Sequence, residues 1–186
     1  MPTLLLTGFG PFPGIRDNPS ARLVRLAGPE PRWRLRAWHI VPHVFETRYD
    51  TVAIDMPRLV EAHRPDAILM IGVASRARWH RIETVARGRS SPLHPDASGR
   101  AGQGHGPTAL RAGAIIHRLV AAIRAAGVDG RPSPSAGRYL CDFTFHLGLG
   151  LGPHDRVAFL HVPPGQLAQS ERAVRAAIEA MTRHGA

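Results

Sequence analysis

Asp66-Ala67-Ile68-Leu69-Met70-Ile71-Gly72-Val73-Ala74 is the stretch on which the fold turns. It is short, apolar without a break and set off by Pro65 on one side and a polar segment on the other. A strand with one wet face alternates apolar and polar residues; a run apolar throughout is expected of a central strand covered on both faces. Working outward, Thr3 to Thr7 and Val157 to Val162 read as further buried strands, the second cut off by Pro163 and Pro164. Leu35 to Val41 is predicted as a strand stopped by Pro42, and Ile82 to Arg87 as a short strand carrying Glu83.

Helical patterns lie between these strands. Asn18-Pro19-Ser20 has the chemistry of a helix start, followed at helical spacing by Leu23, Leu26 and Ala27 up to Gly28-Pro29. Val44 to about His63 is predicted helical. A third stripe, Leu110, Ala114, Ile115, Leu119 and Ile123, predicts a helix from about Pro107 to Ala126, and a fourth, Leu167, Val174, Ala177, Ile178 and Met181, one from about Pro164 to Arg183. Residues 128 to 137 read as a connector or short strand. Gly88 to Gly106, rich in Gly, Ser, Pro and His without apolar periodicity, reads as a mobile surface loop. Strands alternating with helices imply an α/β fold with a largely parallel sheet, in which ligands bind beyond the carboxyl ends of the strands. That gathers the loops after Thr7, Ala74 and Val162 in one neighbourhood. The 186 residues show no repeat and no linker, and fit one domain spanning 1–186.

Composition narrows the function. No apolar run approaches the length of a membrane span, the first residues lack the basic flank of a signal peptide, and a lone cysteine excludes an internal disulfide; together these are expected of a soluble cytoplasmic protein. The formal net charge is +10, and all 24 basic residues are arginines. They are dispersed along the chain and do not alternate with aromatics, so a nucleic-acid groove is not expected. The absence of lysine reads as a coding bias.

Chemistry concentrates near Ser133 to Pro163. Cys141, the only cysteine, follows small and turn-forming residues and precedes a helix-compatible run. At a helix start, backbone N–H groups stabilise an anion and make a sulfur more nucleophilic. His161 ends an apolar strand, where an imidazole could meet it. On residues alone, a lone cysteine is more often a small buried hydrophobe, a strand-end histidine a structural residue, and Glu83 a surface partner of Arg81 or Arg87. Phe9 and Phe12, displayed on Gly8-Phe9-Gly10-Pro11-Phe12-Pro13-Gly14, either wall an apolar pocket or cap the core.

Four segments in order resemble the pyroglutamyl peptidase type I (pyrrolidone-carboxylate peptidase) family: Leu5 to Gly14 with Asn18-Pro19-Ser20, Ile82 to Ala86, Ser135 to Cys141, and Leu160 to Pro163. The resemblance implies a single three-layer α/β/α domain and a cysteine peptidase that removes an N-terminal pyroglutamyl residue from small peptides. It implies Cys141 as nucleophile, His161 as base and Glu83 as the acid orienting the histidine, with no metal or cofactor. Phe9 and Phe12 match the aromatics that sandwich the pyrrolidone ring, and Tyr139 and Leu140 line the pocket beside the nucleophile. A homo-oligomer, dimer or tetramer, is implied as well. Some positions depart from the pattern. Val73 stands where the family has a ring-contacting Gln, a backbone contact that tolerates the change. Leu93 stands where the family has an Arg near the oxyanion, a place that Arg87 or Arg89 could fill from a shifted loop, and His43 stands for a common Thr. These departures leave two rivals: a paralogue cleaving another small acyl amide, and a catalytically impaired or RNA-binding protein on the same fold.

Overall fold

The structure, a computed structural model of the chain, describes residues 1–12, 14–35, 37–88, 90–102, 106, 108–153 and 155–183. Six strands form the main sheet: β1 (Thr3–Phe9), β2 (His39–Phe45), β3 (Ala67–Val73), β4 (His80–Glu83), β7 (Gly130–Ser133) and β8 (Val157–Val162). Their order is β2-β1-β3-β8-β4-β7, parallel throughout except where β4 runs antiparallel to β8. β5 (Val85–Ala86) and β6 (Leu110–Arg111) make a separate antiparallel ribbon. The helices are α1 (Pro19–Ala27), α2 (Arg32–Leu35), α3 (Tyr49–His63), α4 (Ile115–Ala125), α5 (Leu140–Leu151) and α6 (Leu167–Thr182).

Side chains alternate across a strand, so the central strands feed two cores at once. Leu4, Leu6, Leu69, Ile71, Ala158, Leu160 and Ile82 face the layer of α1, α4 and α6. Leu5, Ile68, Met70, Val157 and Phe159 face the layer of α3 and α5. The result is a three-layer α/β/α arrangement, as the continuously apolar β3 required.

Most elements fall where the sequence places them. Asn18 caps α1, its Oδ1 accepting the Ser20 N–H at 3.0 Å, while its Nδ2 donates to the Gly10 carbonyl at 2.9 Å and so ties the loop after β1 to the helix start.

Three expectations are corrected. The second strand runs through Pro42 to Phe45 instead of stopping, and the next helix starts at Tyr49 rather than Val44. β2 is an edge strand, where half the backbone N–H groups have no ladder partner and a proline costs little. α4 begins at Ile115, not Pro107, because Ala112 N–H donates to the Thr84 carbonyl at 3.0 Å and holds the preceding residues extended against β5; Pro107 lies outside the described residues. In the described part of the 88–106 loop, which lies mostly exposed, the Asp96 carboxylate is fully buried. Asp96 Oδ1 accepts the N–H groups of Ser98 (2.9 Å) and Arg100 (3.0 Å), and Oδ2 that of Tyr49 (3.0 Å). Burial opposes this charge, yet those hydrogen bonds hold the Asp96 carboxyl below the usual range.

Candidate active site

On the α3/α5 face the pattern of alternation ends in polar residues. Past Phe159, the next β8 residue on that face is His161; past Met70, the next on β3 is Gly72; and β4 presents Arg81 and Glu83. Register sets them side by side, Gly72 opposite His161 on one flank and Arg81 opposite His161 on the other. A strand reversal thus delivers an acid to the flank of a histidine on a strand it would not otherwise meet.

Glu83 is fully buried, and its Oε1 lies 2.8 Å from Nδ1 of His161, itself 4% exposed. With Nδ1 donating to this carboxylate, Nε2 is the ring nitrogen left for Cys141. Burial is the largest influence on His161 and pulls its pKa down. The charge of Cys141, a hydrogen bond with its side chain and then Glu83 outweigh it, so the imidazole is raised to about 9.

Cys141 is the second residue of α5, partly exposed. No side chain caps that helix at Tyr139, which leaves the amides of its first turn without a side-chain acceptor. The sulfur sits over β3 because Gly72 has no side chain: a Cβ there would lie 3.0 Å from Cys141 Sγ and 2.8 Å from two ring carbons of Phe159. Nothing beside Gly72 in the sequence signals this requirement for a close approach.

A cavity of about 1040 Å³ opens onto this group. Cys141 and His161 line it, with Phe12, Val73 and Tyr139 as its apolar walls and Arg76, Arg78 and Arg81 among its basic ones. Phe12 and Tyr139 stand with ring centroids 6.2 Å apart, and the Tyr139 hydroxyl donates to the Pro95 carbonyl at 3.1 Å. Burial, then the charges of Asp96 and Cys141, push that phenol up to about 12.

Phe9 and Leu140 are not among the lining residues. Phe9, the last residue of β1, is turned into the core against Phe45 and Phe159, and Leu140 is buried beneath the start of α5. Glu83 pairs with Arg81, as one sequence-level alternative had it, but in the interior and shared with His161: Arg81 Nε lies 3.2 Å from the same Oε1. Leu93 is 82% exposed. Arg87 is turned to the end of β7, its Nη2 donating to the Pro134 carbonyl at 3.3 Å, while Arg89 lies outside the described residues. His43 packs edge-on against Phe45 at 4.7 Å, away from the cavity. Among the described residues no three His, Cys, Asp or Glu side chains gather as a metal would require, and no helix is long and apolar enough to cross a membrane.

A family model described as pyroglutamyl peptidase matches residues 2–183. The chain belongs to the pyroglutamyl peptidase family. A pyrrolidone-carboxylate peptidase of Deinococcus radiodurans is 33% identical, covering 98% of this chain and 95% of its own, and one of Streptomyces coelicolor is 33% identical over 88% and 78%. Among solved structures, pyroglutamyl peptidase I of Bacillus amyloliquefaciens superposes with a TM-score of 0.83 at 28% identity, covering 99% of this chain and 98% of that one. The pyrrolidone carboxyl peptidase of Thermococcus litoralis shares the fold with a TM-score of 0.86 at 21% identity, over 97% and 93%. Members of this family are cysteine-type peptidases, and the mostly parallel sheet flanked by helices is theirs.

Proposed function

We propose that this chain removes an N-terminal pyroglutamyl residue from small peptides, with Cys141 as nucleophile, His161 as general base and acid, and Glu83 as the group that orients the imidazole. The observation that carries the reading is the shared position of Cys141 and His161 in the wall of one cavity, with Glu83 bonded to the far nitrogen of the ring. The lactam would lie against Phe12, Val73 and Tyr139. Cys141 Sγ attacks the pyroglutamyl carbonyl carbon, and the C–N bond breaks as His161 passes its proton to the leaving amine. His161 then takes a proton from water as the water attacks the thioester, and hands it to the departing sulfur, releasing pyroglutamate and the free thiol. Glu83 holds one tautomer throughout, as the third member of such a set does. The uncapped first turn of α5 offers backbone N–H groups to the oxyanion, worth a few kcal/mol in related chemistry.

The test is hydrolysis of a pyroglutamyl fluorogenic amide beside a panel of other aminoacyl amides. Release confined to the pyroglutamyl substrate is expected, and lost in Cys141→Ala. Release confined to other acyl groups would overturn the substrate, and release that survives Cys141→Ala the nucleophile.

A further inference from the structure

Arg81, in the cavity wall, is held in place by partners from other elements. Its Nε donates to Ser133 Oγ at 3.1 Å, and its Nη2 donates to Ser133 Oγ at 2.7 Å and to the Ser135 carbonyl at 2.6 Å. Those acceptors belong to the end of β7 and to the turn that leads on to Cys141. The guanidinium therefore spans from the strand of the acid to the segment carrying the sulfur. Its Nε and Nη2 donors go to the Ser133 hydroxyl and the Ser135 carbonyl, so its relation to Glu83 at 3.2 Å is that of a charge beside a charge.

We propose that Arg81 is a positioning residue that balances the charge of the buried Glu83 at every stage of the reaction and fixes the carboxylate on His161. The inference rests on the function given above and deepens it. Whichever of the sulfur and the imidazole holds the proton at rest, Cys141, His161, Glu83 and Arg81 sum to zero charge. Once the sulfur is acylated and His161 has given its proton to the leaving amine, the carboxylate and guanidinium still sum to zero. Without Arg81 the acyl stage would leave a fully buried carboxylate beside a neutral ring, the arrangement that costs most in a protein interior. A guanidinium suits this task because it stays protonated across the working range.

Tyr49 and Tyr139 border the cluster, their phenols pushed up by burial and in part by the charge of Cys141. Arg76 and Arg78 stand on the β3–β4 loop and His94 on the segment before Pro95, all in the cavity wall. Asp142, next to Cys141, has its Oδ1 on the Arg87 N–H at 2.8 Å.

Two readouts test the proposal, on Arg81→Met and on Arg81→Gln, which keeps a donor for Ser133. The first is kcat and KM for the pyroglutamyl amide across pH. The second is the rate at which iodoacetamide alkylates the single cysteine across pH, which needs no substrate. Losing a nearby cation favours every protonated form in the cluster. Both limbs of the kcat profile and the alkylation midpoint should therefore move alkaline by about one unit, with kcat near neutral pH falling roughly tenfold and KM staying within about twofold. Arg81→Lys should recover part of the shift. An alkylation profile superimposable on that of the wild type would overturn the proposal, as would a rise in KM at unchanged kcat, which would make Arg81 a substrate-binding group. If the wild type fails on pyroglutamyl substrates, the function falls, and the alkylation profile still judges Arg81.

Discussion

Two buried histidines on opposite faces of one sheet show how the two layers of this protein differ. His80 and His161 are 1% and 4% exposed, on neighbouring strands. His80 faces α6, where Nε2 meets the Ser170 hydroxyl at 2.9 Å. Burial, only partly countered by Asp129, lowers its pKa to about 4. His161 faces α5, and there Cys141 and Glu83 overcome the same burial and raise it to about 9. Burial alone keeps a histidine neutral; burial beside a thiol and a carboxylate keeps it charged. The packing around each follows suit. The α1/α4/α6 face is filled with Leu, Ile, Val, Ala and two tryptophans, whereas five of the six phenylalanines lie in the α3/α5 layer. The aliphatic side stabilises the sheet, and the aromatic side builds a floor under the reacting groups.

The comparison breaks first at His161. His161→Ala should reduce turnover of the pyroglutamyl amide at least a thousandfold with the fold retained by circular dichroism, since it removes both proton transfers. Loss of folding instead would make the residue structural, like His80.

Glycines sharpen the comparison next. Gly72→Ala forces a methyl into the space of Cys141 Sγ and the Phe159 ring, so kcat should fall about a hundredfold through displacement of the sulfur. Gly130→Ala, whose Cβ would lie 2.7 Å from Ile123 Cγ2 on the aliphatic side, should lower stability by about 1–3 kcal/mol in urea unfolding and leave kcat of the folded enzyme within twofold. Equal effects on kcat would erase the division between the layers.

The effect at His80 is confined to acid pH. Its folded pKa is depressed to about 4, so the unfolded chain binds the proton first as pH falls. The contribution is fully present above about pH 6.5 and is lost between there and pH 4, by at most about 3 kcal/mol. His80→Gln should flatten the stability curve across that window. His161 has the opposite sign: its pKa is raised, so its contribution is present below about 6.5 and is lost as pH climbs through about 9.

What the sequence makes legible follows from which forces are local. The buried strands β3 and β8 and the Asn18 cap announce themselves because apolar continuity and capping chemistry act within a few residues. Pro42 misleads, because its cost depends on β2 lying at the sheet edge, a property of strand order rather than of the residues nearby. Cys141 and His161 are candidates from a helix start and a strand end, but their pairing and the part of Glu83 are legible only through family resemblance, since 78 residues separate the acid from the histidine beside it. Gly72 escapes notice altogether, and Arg81 shows only as a surface partner of Glu83: the reason for each place is a register with β8 that no spacing along the chain encodes. Phe9 and Phe12 look equivalent on their loop, yet Phe9 still belongs to β1 and turns inward while Phe12 reaches the cavity.

The convergence of sulfur, imidazole and carboxylate is tested most directly by rapid acid quench during turnover of a pyroglutamyl peptide, followed by mass spectrometry of the peptide that contains Cys141. One pyroglutamyl group bound to that cysteine in the wild type, and none in His161→Ala, which loses the proton transfer of the acylation step as well, is the expected result. Steady turnover with Cys141 unmodified at every time point would contradict the account.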